Sequence, residues 1–480
     1  MRASRHVGPT VDPVELERKL MAEGERMGTG DEEDAGVGGW TFLQKIAVAV
    51  AVALIIGYLL LWAQNVQETG GPDGYIRGTA QRGPVDFIST LTGALVLRNG
   101  DGPQLYNLET QRDAQNSIFR GYRPSLSTAE ILPYNHMPFE ALLIAPFMGL
   151  PYPIVFALWT LLCGIAVGMS LGLMDGGLPV ARPVGWVLSM AACSYLPLIR
   201  GLMLGQNSAL VLLGLCALYV SLKRQQYGWA GAALVLIALK PQVLPAVLLV
   251  LVLQKHWKVL GIFAAMLAGM SIAAMPLLGV GWPLDYARLL VGVAGWSSTG
   301  AIDPAIMHNW RGLLTNLFGS SAPGIVTPLF VLFSLLSIGL IVWSWLRSRV
   351  GNSDAEPDEE LIEDNHSYVP RRDLLWALVG IVAVLTSLHL NPHDLTLLIF
   401  PAWIIGAYAT SGLWSKGVSR LWVALLAIGY LLAPMTLINP RASVIPSVLL
   451  MAVAAVILTW QLATSRAEQS QAMAEVHAGI

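Results

Sequence analysis

Long apolar runs separated by short polar turns dominate the chain. The first run, 41–63, is long enough to cross a bilayer. Further apolar segments at 151–174, 184–199, 208–222, 229–239, 242–254, 259–280, 323–346, 374–390, 395–411, 419–438 and 443–462 bring the expected number of membrane helices to twelve. Segment 137–150, interrupted by Pro138 and Pro146, is too short to span and reads as a re-entrant or interfacial helix on the outer side.

Lys and Arg in short loops resist translocation, so Lys223 and Arg224, Lys255 and Lys258, Arg347 and Arg349, Arg371 and Arg372, and Lys416 and Arg420 mark cytoplasmic turns. The apolar stretch between the first two pairs must then go out and return. Lys240-Pro241 supplies the only break and sits at the outer turn of two short helices. Both termini fall in the cytoplasm.

Composition agrees with this pattern. Of the 480 residues 55% are hydrophobic and only 12% charged, against roughly 25% charged in a soluble domain, which excludes a cytosolic globular enzyme. The expected fold class is therefore an all-α polytopic membrane protein. A formal net charge of -2 gives no basic field for nucleic acid. Cys163, Cys193 and Cys216 lie in apolar stretches and read as buried thiols, not as a disulfide framework or metal cluster.

Residues 1–40 read as a disordered cytoplasmic tail, and the span that follows reads as a retained first helix, not a cleaved signal. The membrane domain is expected over 41–463, with outer loops at 64–136 and 281–322, an acidic cytoplasmic linker at 347–373 and a cytoplasmic tail at 464–480.

None of the expected helices carries an acidic side chain, which disfavours a proton-coupled carrier. The polar residues gather instead on the outer face. Loop 64–136 brings Asp86, Asp101 and Asp113. Turn 200–207 brings Arg200, Gln206 and Asn207. Loop 281–322 brings Asp303, His308, Asn309, Trp310 and Arg311, and turn 389–394 brings His389, Asn391, His393 and Asp394. A carboxylate among cations at the outer lipid surface suits chemistry on a lipid-linked phosphate: the cations stabilise phosphate, and the carboxylate takes a proton from an attacking hydroxyl. Lys240, at a proline break tolerated only where helices line a cavity or are buried, is a candidate phosphate ligand.

Several short motifs follow in a specific order: Gly83-Pro84-Val85-Asp86-Phe87, Gly102-Pro103-Gln104-Leu105-Tyr106, Tyr134-Asn135-His136-Met137-Pro138-Phe139 with Pro146, Gly205-Gln206-Asn207, and Ala230-Gly231 running to Leu239-Lys240-Pro241. Over roughly residues 41–460 this order resembles the GT-C membrane glycosyltransferases, specifically glycosyltransferase family 87, which includes polyprenyl-phosphate-mannose-dependent α-mannosyltransferases. The resemblance implies a GT-C-like bundle whose long first outer loop carries juxtamembrane helices. It also implies an inverting, metal-free transfer, without a cofactor, from a polyprenyl-phosphate sugar to a glycolipid or glycan hydroxyl on the extracytoplasmic face of the plasma membrane.

The family's catalytic Asp carries over onto Asp86, which otherwise reads as a helix N-cap. Asp101 beside Gly and Asp113 in a charged run read as turn and surface residues. Donor phosphate contacts are expected at Lys240, Arg200, His308 and Arg311; Arg200 could equally anchor at the interface, whereas Lys240, between two apolar helices, has the wrong charge for a routine outer turn where it would merely snorkel. Substrate contacts are expected at Gln206, Asn207, Tyr134, His136, Trp310 and His393, with Gln206 and Asn207 open to a helix-capping role. Trp310 and Trp296 are candidate sugar platforms. The rival reading is a lipid-linked sugar flippase, which would need alternating access and usually a repeated architecture.

Overall fold

Three short helices that are apolar on every face occupy the centre of the protein, because a helix with no polar stripe has nothing to offer water. In the computed structural model, which describes residues 86–119, 125–128, 130–178, 180–293, 303–349 and 371–478, all the regular elements are helical. The described residues fall in one compact unit, Val50–Ile480.

The chain enters through α1 (Phe87–Arg98), α2 (Leu108–Ile118) and α3 (Pro138–Ile144). They occupy the stretch over which juxtamembrane helices are expected. Gln111 and Gln115 on α2 bind the extended segment 131–136: Gln111 accepts from Tyr134 N at 2.8 Å, and Gln115 accepts from Leu132 N at 3.0 Å and donates to Leu132 O at 3.1 Å. Ser89 on α1 donates to Pro133 O at 2.8 Å. Side-chain amides thus replace the backbone partners that an irregular segment lacks. α3 is seven residues long and continues only as a 3-10 turn, in keeping with a segment too short to span.

Next come α4 (Tyr152–Asp175), α5 (Arg182–Cys193), α6 (Leu196–Leu204), α7 (Ser208–Lys223), α8 (Tyr227–Ile237), α9 (Leu244–Leu253), α10 (Trp257–Leu278), α11 (Trp282–Val293), α12 (Trp310–Phe318) and α13 (Pro323–Arg349). The chain closes with α14 (Arg371–Leu385), α15 (Ile399–Thr410), α16 (Lys416–Leu432), α17 (Met435–Ile438) and α18 (Pro440–Ala478). α7, α14 and α15 form the buried centre; every residue of α14 from Asp373 to Leu385 is buried. Around them stand α10, α13 and α16, whose apolar residues, such as Ile272, Leu335, Leu336 and Leu431, are exposed. Such a surface suits lipid and would be a liability in water.

Among the described residues the twelve expected spans are not all found as separate helices of spanning length. Five described helices are long and apolar enough to cross a membrane, or seven if each of two bent pairs is one span. The segments expected at 208–222, 374–390 and 395–411 form helices of 16, 15 and 12 residues, short of the ~20 that a bilayer requires. The helix expected at 184–199 breaks at Ser194-Tyr195 and resumes as α6, a 48° bend that puts Arg200 on a helix and not in a turn. Lys240-Pro241 does break its hairpin, with 119° between α8 and α9. Region 281–322 is not a plain loop, since it contains α11 and α12, and the tail expected from 464 continues α18 to Ala478. The first span at 41–63, the tail 1–40 and most of the acidic linker lie outside the described residues.

Candidate active site

Gly205 ends α6 in the left-handed conformation (φ 73°), the usual helix stop when no Cβ is present. A Cβ here would come within 2.5 Å of Phe87 Cβ, and the Gly205 carbonyl accepts from Trp159 Nε1 at 2.8 Å. The turn is thereby clamped between α1 and α4. The next two side chains point to separate carboxylates. Gln206 Nε2 donates to Asp86 Oδ2 at 2.6 Å, and Asn207 Nδ2 donates to Glu140 Oε1. Asn207 occupies the N-cap position of α7, but its side chain makes no capping bond. The two amides hold carboxylates in place of a helix end.

Asp86 likewise sits at the N-cap of α1 with no side-chain cap bond, so its carboxylate is not used by the helix. It keeps 27% of its side-chain exposure and faces His393 Nδ1 at 3.9 Å. His393 is buried, and its Nε2 lies 3.6 Å from Asp394 Oδ1.

Asp394 is the acid that the sequence reading left without a role. Its Oδ1 binds Lys240 Nζ at 2.7 Å and accepts from Ser208 Oγ at 2.7 Å, while Oδ2 accepts from Asn391 N at 3.0 Å. Burial opposes ionisation, yet the Lys240 ammonium, His393 and the two hydroxyl and ammonium hydrogen bonds outweigh it and hold the carboxyl below its ordinary range. Lys240 is therefore buried and already neutralised by a partner, not snorkelling to an interface.

Arg200 is half-buried, donates to Thr436 O at 3.1 Å and lies within electrostatic reach of Asp86, His308 and His393. A guanidinium has five N–H donors, so capacity for an anion remains. Arg311 is also half-buried, with Nη1 3.5 Å from Leu388 O. The helix of Arg200 packs on the Pro392–Leu398 turn, which Asp86 and Lys240 reach through His393 and Asp394.

Other expected contacts are engaged by the protein. His308 is fully buried, with Nδ1 3.0 Å from Ile306 O and Nε2 2.9 Å from Ser443 Oγ; burial holds its ring neutral, with the pKa pushed down to about 4. Trp310 donates to Ser337 Oγ at 2.9 Å and stacks on Phe333, a core position. Tyr134 is fully buried, accepts from Ala141 N and donates to Met137 O, which supports the loop and leaves no ring face for a ligand. His136 retains some exposure and pairs with Glu140. Trp296 lies outside the described residues. Among the described residues no group of three His, Cys, Asp or Glu side chains is arranged to hold a metal ion.

An almost wholly apolar cavity of about 460 Å³ lies among α5, α15, α16 and α18, and none of the cluster's polar side chains lines it. Tyr195, at the start of α6, and Leu398, four residues after Asp394, line it together with Trp403, Trp422, Tyr430 and Met451.

Glu140 and Asp394 were the functional candidates that sequence reasoning missed. Glu140 stands four residues from His136, the one-turn spacing on which a carboxylate can reach a histidine, and that signal was available. Asp394 stood in a turn already singled out, but nothing local pairs it with a lysine over 150 positions away.

The model of glycosyltransferase family 87 matches residues 134–359, a little under half of the chain. No curated protein and no solved structure matches the chain. The matched region contains His136, Glu140, Arg200, Gln206, Asn207 and Lys240, whereas Asp86, His393 and Asp394 lie outside it and reach the site through the fold. The match over residues 134–359, together with the all-helical architecture and five to seven helices able to cross a membrane among the described residues, is consistent with a membrane glycosyltransferase of GT-C type.

Proposed function

We propose that the protein is an inverting glycosyltransferase that moves a sugar, mannose by the family resemblance, from a polyprenyl-phosphate donor to a hydroxyl of a glycolipid or glycan acceptor. One observation carries the reading: Asp86, a partly exposed carboxylate released from helix capping, is aimed by Gln206 at 2.6 Å and faces His393 at 3.9 Å.

Asp86 removes the proton from the acceptor hydroxyl as its oxygen attacks the anomeric carbon. The new C–O bond forms opposite the donor phosphate, the old one breaks, and polyprenyl phosphate departs with the electron pair. Arg200 and Arg311 stabilise the leaving phosphate. Lys240, balanced by Asp394, sets the field of the turn that carries His393. Phosphate is a good leaving group, so positioning and charge stabilisation supply most of the acceleration, with the base adding ~10² to 10⁴. The apolar cavity, which Tyr195 and Leu398 help line, suits the donor's lipid tail.

The proposed side is extracytoplasmic. α7 has Lys223 at its C-terminal end and begins at the site; its 16 residues put ~24 Å between them. In a hydrocarbon core ~30 Å thick, a cytoplasmic Lys223 leaves the site near the opposite surface.

The test is Asp86→Asn in purified protein supplied with radiolabelled polyprenyl-phosphate mannose and native lipids. Transfer should fall at least 100-fold, with donor binding and thermal stability unchanged. Retained turnover removes Asp86 from the role, and transport without transfer by the unmodified protein in proteoliposomes favours a flippase.

A further inference from the structure

The Asn207 side of the turn holds a second assembly that the reaction above does not use. Glu140 is buried, with 3% of its side chain exposed, and among the described residues no lysine or arginine pairs with it. Its Oε1 accepts from Asn207 Nδ2, and its Oε2 lies 3.0 Å from His136 Nδ1. Asn207 Nδ2 also faces Leu239 O at 3.5 Å, so two oxygens orient the amide nitrogen. The same nitrogen approaches His136 Nδ1 at 3.3 Å, but Nδ1 lies closer to Glu140 Oε2, and a carboxylate oxygen can only accept. His136 Nδ1 is left to donate its own proton to Glu140.

In a neutral imidazole this arrangement puts the hydrogen on Nδ1 and the lone pair on Nε2. The ring is fixed in other ways too. It stacks on Tyr134 at 5.6 Å with 15° between planes, Tyr134 stacks in turn on Tyr106, and Tyr106 Oη donates to the His136 carbonyl at 3.0 Å. His136 keeps 19% of its side-chain exposure. The two consecutive residues Gln206 and Asn207 tie this imidazole and Asp86 to one turn.

We propose that Glu140 is a positioning residue that holds His136 as the Nδ1-protonated tautomer, so that Nε2 accepts a hydrogen bond from a sugar hydroxyl of the substrate. The proposal rests on the transferase reading for the identity of the ligand. An imidazole left to itself favours neither orientation strongly enough to serve as a dedicated acceptor. A buried carboxylate on one nitrogen makes the other nitrogen an acceptor alone, and a site built this way selects for a hydroxyl and against its absence.

Glu140→Gln separates this role from simple packing. The amide oxygen can still accept from Asn207, while the amide nitrogen donates to Nδ1 and forces the ring hydrogen onto Nε2. The readouts are side-chain ¹⁵N spectra of histidine in nanodiscs at pH 8, with His136→Gln used for assignment, and steady-state transfer from polyprenyl-phosphate mannose. The unmodified protein should show Nδ1–H at His136 and Glu140→Gln should show Nε2–H, with KM raised about tenfold, kcat little changed and the melting temperature retained. His136→Gln, which places an amide oxygen near the Nε2 position, should keep most of the affinity, and adding Glu140→Gln to it should cost little more.

An unchanged tautomer in Glu140→Gln overturns the proposal. So does a loss from Glu140→Gln that is equally large in the His136→Gln background. If the unmodified protein transfers nothing, the transferase reading fails, while the spectra need no turnover and still decide whether Glu140 sets the tautomer.

Discussion

Lys240 and Asp394 show what a charge does when it has been taken out of water. Each is buried, and each is tolerable there because the other is 2.7 Å away. Removing one partner strands the other, so Lys240→Met or Asp394→Asn alone should cost about 3–5 kcal/mol, and the double variant should recover much of that loss. Thermal melts in detergent read the difference. The carboxyl's folded pKa is held below its unfolded value of about 3.9, so its contribution is fully present above that pH and is lost as pH falls from there through the lower folded pKa. Asp394→Asn should accordingly flatten the acid limb of the stability profile. The lysine was legible in the sequence because a cation at a proline break between apolar helices needs an explanation. Its partner was not, because the pairing depends on how the Pro392–Leu398 turn docks against the start of α7.

The turn between α6 and α7 shows how two helices place a site. A left-handed residue stops one helix, and two amides then aim at two acids before the next helix begins. Gly205→Ala should cost about 1–3 kcal/mol for the backbone conformation alone, and the 2.5 Å approach to Phe87 Cβ adds to it. Transfer should fall with the melting temperature, because Gln206 moves away from Asp86. The Gly-Gln-Asn pattern was readable as the opening of a helix. That its amides serve carboxylates instead of capping became visible only once α1 and α3 were in place beside it.

Taken as a whole, the protein surrounds a buried polar junction with short helices and those with longer helices that present Leu, Ile and Val outward. At the other end of α7 from the site, Lys223 pairs with Asp373 at 2.9 Å, and Tyr408 donates to the same carboxylate at 2.6 Å. The proposed orientation puts that pair on the cytoplasmic side and Asp303 with Arg441 outside. Single cysteines introduced in a background with Cys163, Cys193 and Cys216 replaced should test it. A cysteine at 303 should react with a membrane-impermeant thiol reagent in intact cells, and one at 416 only after permeabilisation. The reverse pattern would invert the topology.

Membership of a membrane class, the approximate positions of the helices, the break at Lys240-Pro241 and the set of polar residues worth watching were all determined along the chain. These follow from local quantities: apolar length against bilayer thickness, the conformational limits of proline and glycine, and the cost of an unpaired charge in hydrocarbon. Which helices are long enough to span, and which stop short inside the bundle, was decided by packing, since an all-apolar segment satisfies lipid and protein interior alike. Pairing was decided there as well. His308, Trp310 and Tyr134 went to neighbours within the protein, Asp394 to Lys240 and Glu140 to His136, because hydrogen bonds and ion pairs act over a few ångströms between residues that the chain keeps far apart.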